Sequence, residues 1–170
     1  MSAGPGRVTN IIIAGLGGQG VLKASDIVAD AAFRLGLDVK KSEVHGMSQR
    51  GGSVQSDVRF GPKVESPMVP LGEGDFLVAL APEGLAASRP FLKPDGVLIG
   101  PDRIREDRLP NRRSLNLALL GVLGGYLEIP EEVWRAAIEA ALPARVLEAN
   151  LAAFALGRRA RREEDPPPRR

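Results

Sequence analysis

Cysteine is absent from this 170-residue sequence, and histidine occurs only once. No disulfide can form, and the chain cannot hold an iron–sulfur cluster by itself, because cysteine thiolates are the usual ligands of such clusters. A zinc site is not expected either, since zinc is bound mainly by cysteine and histidine. The sequence therefore predicts a chain that binds no metal.

Long apolar runs are missing as well. No stretch approaches the roughly 20 apolar residues that a membrane-spanning helix needs, so we expect no membrane association. Residues 1–9 also lack the apolar region of a secretory signal peptide. These two absences together predict a cytoplasmic protein.

Aromatic residues make up only 4% of the chain, and none lies among the arginines of its last 13 residues, 158–170. This segment mixes both charge signs and contains three consecutive prolines, a composition typical of a disordered tail. Nucleic-acid binding is not predicted, because single-stranded nucleic acids are held by aromatic side chains between basic ones. We expect one folded domain at residues 8–157 followed by a disordered tail at residues 158–170.

The most informative segment that is present runs from Gly15 to Gly20, with the letters GLGGQG. It follows a run of β-branched residues typical of a buried parallel strand and precedes a segment with apolar residues at helical spacing. This order predicts a phosphate site, because the start of a helix presents unpaired N–H groups and the positive end of its dipole. The candidate cofactor-binding residues are Gly15, Gly17, Gly18, Gln19 and Gly20. A tight turn whose glycines serve packing alone is the alternative.

The spacing of Gly15, Gly17 and Gly20 also fits the G-x-G-x-x-G pattern of dinucleotide-binding folds. That function needs an acidic residue about 20 positions later, at the end of the second strand, to hold the ribose. Asp38 lies at the expected start of that strand and Glu43 lies inside another motif, so neither is a clear ribose ligand. An independent dinucleotide-binding oxidoreductase stays an alternative, although the sequence lacks the acidic residue that this function needs.

A second motif, residues 42–53 with the letters SEVHGMSQRGGS, has an unusual density of polar residues between glycines. Candidate substrate or interface residues in this loop are Glu43, His45, Gln49, Arg50 and Ser53. His45 is the candidate catalytic residue, for proton transfer or a hydrogen bond to substrate, and a contact with its own loop is the alternative. Arg50 suits a bidentate contact with a carboxylate or phosphate, and a salt bridge to Glu43 is the alternative.

Strand and helix patterns alternate along the rest of the chain. Residues 53–60, 75–80 and 96–99 have strand patterns, while helices are expected from Pro82 and at residues 115–127 and 131–142. Such alternation predicts a single-domain α/β fold with a largely parallel sheet and helices on both faces, a Rossmann-like three-layer sandwich.

Together with residues 53–61, the two motifs resemble the γ domain of the 2-oxoacid:ferredoxin oxidoreductases. The letters EVHGM at 43–47 and QRGGSV at 49–54 are most similar to the small β subunit of the indolepyruvate branch. The similarity extends from residue 10 to about residue 157. It implies an oxidoreductase subunit, inactive alone, that supports coenzyme A-dependent oxidative decarboxylation of an aryl pyruvate to acyl-CoA with electrons passed to ferredoxin. A 2-oxoglutarate- or pyruvate-type γ subunit is the alternative within the family.

The resemblance also implies a division of labour between subunits. A large partner subunit would carry thiamine diphosphate and [4Fe-4S] clusters, and this chain would help to assemble the site and receive coenzyme A in a heteromer. A glycine loop at a helix start suits the diphosphate of coenzyme A. A subunit whose glycine motifs only shape an interface is the other alternative.

One segment departs from the family pattern. In the family a further βα unit separates the strand at 96–99 from the helix near Asn116, whereas here only residues 101–115 intervene. This segment is too short and too highly charged for such a unit. We therefore expect any site or subunit contact built from it to be altered.

Overall fold

Strands and helices alternate in the structure, a computed structural model that describes residues 6–46 and 51–164. The strands are β1 (Thr9–Leu16), β2 (Asp38–His45), β3 (Ser53–Gly61), β4 (Gly74–Ala79) and β5 (Leu92–Ile99). The helices are α1 (Val21–Arg34), α2 (Pro82–Ser88), α3 (Leu115–Gly124), α4 (Glu131–Ala141) and α5 (Ala144–Glu164). None of these helices is both long and apolar enough to cross a membrane, within the part of the chain that the structure describes.

The five strands form one sheet in the order β2-β3-β1-β4-β5. β1, β4 and β5 are parallel, but β3 is antiparallel to both of its neighbours, β1 and β2. The α/β fold is confirmed, whereas the prediction of a largely parallel sheet is only partly right. The physical reason is the connection at residues 46–52, which is shorter than the dozen or more residues that a parallel crossover requires.

Helices cover both faces of the sheet, as predicted, but unequally. The larger core lies on the face that packs against α1, α3, α4 and α5, where Trp134 and Phe154 meet with ring centroids 5.5 Å apart. On the other face a smaller cluster, which includes Ile12, Leu77 and Val69, packs under α2 and the β3–β4 connection. β1 lies in the middle of the sheet between β3 and β4, and its apolar residues are buried on both faces because each face is covered by one of these two clusters.

The last helix, α5, continues through residues 158–164, where the sequence predicts a disordered tail. Two arginines explain the difference. Arg158 donates a hydrogen bond to the Gly124 carbonyl, and the Arg161 guanidinium lies 4.0 Å from the centre of the Tyr126 ring. These contacts fasten the end of the helix to the core, and residues 165–170 lie outside the described part of the chain.

Between β5 and α3 the short charged segment forms three 3-10 turns. These turns are Pro101–Arg103, Glu106–Arg108 and Arg112–Ser114. The first turn is tied to the sheet by Arg103, which donates to the Leu98 carbonyl at 3.1 Å. The third is capped by the Asn111 side chain, which accepts a hydrogen bond from the Arg113 N–H at 2.9 Å. The segment therefore leads directly into the start of α3.

Candidate functional site

The glycine turn between β1 and α1 closes on itself through Gln19. The Leu16 N–H donates to the Gln19 Oε1 at 2.7 Å, and the Gln19 N–H donates to the Leu16 carbonyl at 3.2 Å. Gly18 and Gly20 adopt φ values of 87° and 81°, which strongly favour glycine. The turn therefore holds a fixed shape at the carboxyl end of β1, in front of the first N–H groups of α1.

Gly20 precedes α1 and also contacts α3. Its carbonyl accepts hydrogen bonds from the Ala24 N–H at 3.0 Å and from the Asn116 Nδ2 at 3.3 Å. A Cβ added at Gly20 would lie 2.4 Å from that same nitrogen. The starts of α1 and α3 are thus held side by side, so the positive ends of two helix dipoles face the same space.

A cavity of about 350 Å³ occupies this space. Its lining residues are Gly18, Gln19, Gly20, Leu80, Arg112, Arg113, Leu115 and Asn116. We call it the phosphate cavity, because it combines two helix starts, a glycine turn and two guanidinium groups, all of which favour an anion. Three of the five predicted cofactor-binding residues line it.

The other two predicted residues, Gly15 and Gly17, are not among the lining residues. A Cβ at Gly15 would lie 2.7 Å from the Gln19 Oε1 and 3.0 Å from the Leu80 Cβ, so this glycine serves close packing. A Cβ at Gly17 would make only an ordinary contact, 3.6 Å from the Gly51 nitrogen. The packing alternative thus describes Gly15 well, whereas Gly18 and Gly20 shape the cavity.

Arg112 and Arg113 are residues that sequence reasoning missed. Arg112 Nε lies 3.1 Å from the Glu106 Oε1, with both side chains largely exposed. Arg113 has no ion pair among the residues that the structure describes. The signal was present in the letters NRRS before α3, since an asparagine cap places the next two side chains at the start of a helix.

The second motif meets the glycine turn through the backbone. The Gly17 N–H donates to the Gly52 carbonyl at 2.9 Å, and the Gly46 N–H donates to the Ser53 carbonyl at 2.7 Å. The two motifs identified in the sequence are therefore neighbours in the fold. Gln49 and Arg50, which the sequence also selects, lie outside the described residues.

Glu43 lies at the α1-facing side of β2 and is paired with a lysine. Its Oε1 is 2.8 Å from the Lys41 Nζ, which also contacts the Asp26 carboxylate on α1. Burial by itself lowers the pKa of Lys41, but the hydrogen bonds to Asp26 and Glu43 outweigh it and the pKa is raised. The lysine stays charged and fixes the position of Glu43, so Glu43 has a structural ion partner within its own sheet.

His45 is more than half exposed, and its Nε2 lies 3.9 Å from the Glu43 Oε2. Together with Ser53 it lines a different cavity of about 250 Å³, walled partly by Met68 and Phe91. None of the residues Glu43, His45 and Ser53 lines the phosphate cavity. The predicted residues therefore lie in two separate sites, the phosphate cavity and the cavity beside His45. The hydrogen bond between Gly17 and Gly52 connects the segments that form them.

The ribose acid of a dinucleotide site has no place in this sheet. In such folds a second parallel strand lies beside the first, but here the antiparallel β3 lies between β1 and β2. Asp38 begins β2 at the opposite end from the glycine turn, and its carboxylate accepts a hydrogen bond from the Val64 N–H at 2.7 Å. Glu43 is held by Lys41, so neither acid serves a ribose.

No cluster of three or more metal-ligating side chains occurs in residues 6–46 and 51–164. The anionic ligands that suit the phosphate cavity would be held by arginine and backbone N–H groups.

Comparison with known proteins gives consistent matches. The family model described as pyruvate ferredoxin/flavodoxin oxidoreductase matches residues 10–110 and 102–160. Indolepyruvate oxidoreductase subunit IorB of Archaeoglobus fulgidus is 46% identical over 90 residues, which are 53% of this chain and 44% of that protein. Subunit IorB of Thermococcus kodakarensis is 31% identical over 194 aligned positions, covering 91% of this chain and 96% of the relative.

A solved structure supports the same grouping. The keto/oxoacid ferredoxin oxidoreductase gamma subunit of Geobacter sulfurreducens superposes with a TM-score of 0.76 and 25% identity, covering 90% of this chain and 98% of that one. The alignment with the Thermococcus relative is longer than the 170 residues of this chain, so the relative contains residues that have no counterpart here.

Proposed function

This chain belongs to the pyruvate ferredoxin/flavodoxin oxidoreductase family, and we propose that it is the small subunit of a 2-oxoacid:ferredoxin oxidoreductase of the indolepyruvate type. Similarity to IorB over nearly the full length of both chains supports the branch. The complex would oxidise an aryl pyruvate to an acyl-CoA, release carbon dioxide and pass the electrons to ferredoxin. We expect the chain to be inactive alone.

The proposed role of this chain is to receive coenzyme A at the phosphate cavity. The observation that carries this role is the convergence of the glycine turn, the starts of α1 and α3, and Arg112 and Arg113 on one cavity. Coenzyme A supplies the thiol that accepts the acyl group. The diphosphate of that molecule matches the cavity, because its negative charge would meet the starts of two helices and the Arg113 guanidinium, and no acidic residue is among the described residues that line it.

Each part of the cavity has a separate task. The open side of Gly18, where a Cβ would meet no atom within 4 Å, leaves room for a phosphate to approach the backbone. Gln19 keeps the turn in shape through Leu16. Arg113 contributes a planar pair of donors, and Asn116 holds the two helix starts together through Gly20.

The large partner is proposed to hold thiamine diphosphate and [4Fe-4S] clusters, since this sequence contains no cysteine. Ferredoxin would be reached through that partner, and we place the heteromer in the cytoplasm. The loop of the second motif, with Glu43, His45, Gln49, Arg50 and Ser53, is proposed to face the partner or the substrate. The backbone contact between Gly17 and Gly52 would then connect the partner side with the phosphate cavity.

Calorimetric titration of the full chain with coenzyme A tests the role of the cavity. We expect Arg113→Ala to weaken binding about tenfold, because a charge-assisted contact to phosphate is lost. Arg145→Ala, which removes an exposed arginine at the start of α5, is the matched control and should bind as the unchanged chain does. Equal affinities for all three proteins, or no binding by the unchanged chain, would contradict the role of the cavity.

A further inference from the structure

A second cavity lies directly beside the phosphate cavity. It measures about 400 Å³, within the size range of small-molecule sites, and the two share Arg112 and Leu115 as a common wall. Its lining residues are Pro101, Asp102, Ile104, Glu106, Leu109, Arg112 and Leu115. All but Leu115 belong to the short segment between β5 and α3, so the segment that departs from the family pattern builds this cavity.

This cavity is lined by both apolar and charged side chains. Ile104, Leu109 and Leu115 form an apolar wall, and Ile104 is buried in the main core. Asp102 and Glu106 add two carboxylates, which accept hydrogen bonds but donate none when ionised. Arg112 lies at the boundary with the phosphate cavity, with its Nε 3.1 Å from the Glu106 Oε1.

We propose that this cavity binds the adenine ring of a ligand whose diphosphate lies in the phosphate cavity. The inference rests on the proposed function, and it identifies the adenosine diphosphate half of coenzyme A as the part that this chain recognises. A flat ring packs between Ile104, Leu109 and Leu115. The exocyclic amine of adenine donates to Asp102 or Glu106 at the edge of the cavity.

Charge favours a purine amine over an aryl 2-oxoacid in this place. Asp102 and Glu106 would repel the carboxylate of a 2-oxoacid, whereas they accept hydrogen bonds from an amine. The shared wall at Arg112 and Leu115 puts the ring cavity and the phosphate cavity next to each other, as a nucleoside diphosphate requires. In this proposal, the short segment between β5 and α3 forms the wall that contacts the base. It does so at the position where the family pattern has a further βα unit.

The test is calorimetric titration of the full chain with ADP, IDP and inorganic pyrophosphate. IDP carries an oxo group where ADP carries the amine, so the hydrogen bond that the exocyclic amine donates to a carboxylate is lost. We expect ADP to bind about tenfold more tightly than IDP. Leu109→Trp should fill the cavity and lower the affinity for ADP about tenfold. The affinity for pyrophosphate should stay unchanged, because Leu109 does not line the phosphate cavity. Leu147→Trp is the matched control, because Leu147 is also a partly buried leucine but lies outside both cavities.

A second variant does not depend on how the core tolerates tryptophan. Asp102 is exposed, and Asp102→Asn introduces an amide that can donate to the oxo group of IDP. This variant should reduce the ratio of the affinity for ADP to the affinity for IDP. Glu106→Gln makes the same change at the other carboxylate that lines the cavity. Equal binding of ADP and IDP by the unchanged chain, or a preference that both variants leave intact, would overturn the proposal.

The same titrations separate this proposal from the one on which it rests. If pyrophosphate and coenzyme A binding depend on Arg113 but ADP and IDP bind alike, only the adenine site is wrong. If Arg113→Ala affects no ligand, the phosphate cavity itself is wrong and the adenine site fails with it. Binding of indole-3-acetate that Leu109→Trp abolishes would identify an aryl site and overturn the adenine assignment.

Discussion

The backbone N–H of Gly17 donates a hydrogen bond to the carbonyl of Gly52 at 2.9 Å. This contact joins the turn after β1 to the connection between β2 and β3. One motif shapes the phosphate cavity and the other carries the loop proposed to face the partner subunit. The proposed anion site and the proposed partner-facing loop therefore share a direct backbone hydrogen bond.

Gly20→Ala should destabilise the fold more than Gly36→Ala does. Both glycines have positive φ, 81° and 77°, so each alanine costs about 1–2 kcal/mol for the left-handed backbone. At Gly20 the new Cβ also meets the Asn116 amide, whose hydrogen bond to the Gly20 carbonyl is worth about 1 kcal/mol. Urea unfolding of both variants measures the difference, and equal free energies of unfolding would show that the Asn116 contact does not matter.

Gly157→Ala should lower the stability although alanine is the better helix former. In an exposed helix this substitution gains about 1 kcal/mol. At the crossing of α3 and α5, however, a Cβ at Gly157 would lie 1.8 Å from the Ala118 carbonyl oxygen, which belongs to the backbone and cannot rotate away. We expect a net loss of about 2–3 kcal/mol from overpacking.

Thermal unfolding measures this loss. The control is Ala152→Ser, an exposed position on α5, which should leave the midpoint temperature nearly unchanged. An unchanged or raised midpoint for Gly157→Ala would contradict the close approach of the two helices.

The patterns in the sequence identify the first βα unit well. The buried strand, the glycine turn and a helix beginning at Val21 all lie where the spacing of apolar residues predicts them, and α2 begins at Pro82 as expected. The pattern of apolar residues is sufficient here, because the strand is one continuous apolar run and the helix buries one continuous apolar face. The direction of β3 was missed, since alternation along a strand is the same in parallel and antiparallel sheets.

The phosphate cavity was only half predictable. Its glycines belong to a recognisable motif, but Arg112 and Arg113 come from a charged segment that sequence reasoning treats as a reduced connection. Their approach to the turn depends on how α3 packs beside α1, which local patterns do not contain. The helical course of residues 158–164 was missed for a similar reason, because contacts of Arg158 and Arg161 with the core outweigh the local composition.

Asp57 should make the stability depend on pH. Its carboxylate is buried and accepts hydrogen bonds from the Val69 N–H and the Gln55 side chain, and burial raises its pKa above the usual 3.8. The folded state therefore holds this proton more tightly than the unfolded state does. The contribution of Asp57 is fully present below pH 3.8 and is lost as the pH rises through the raised pKa.

Urea unfolding of the unchanged chain and Asp57→Asn between pH 3 and pH 7 measures this effect. The difference in unfolding free energy, unchanged chain minus variant, should decrease as the pH rises. A difference that is constant over this range, or one that grows with pH, would show that burial does not control this carboxyl group.

His45→Ala should preserve assembly of the complex but reduce its turnover. The side chain is more than half exposed and borders a cavity at the end of β2, so its loss removes no core contact. If His45 transfers a proton in the complex, kcat should fall about 100-fold. Lys63→Ala, which removes an exposed partner of Glu65, is the control. Full activity of an assembled His45→Ala complex would remove His45 from the candidate catalytic residues, and failed assembly would assign it to the interface.

The subunit assignment is tested most directly by reconstitution. The tagged chain is purified with its large partner, and viologen reduction is measured with indolepyruvate, 2-oxoglutarate or pyruvate, each with and without coenzyme A. We predict a stable heteromer whose reduction of viologen requires both subunits and coenzyme A and is fastest with indolepyruvate. A chain that purifies alone and restores no activity, or a complex that prefers 2-oxoglutarate or pyruvate, would contradict this account.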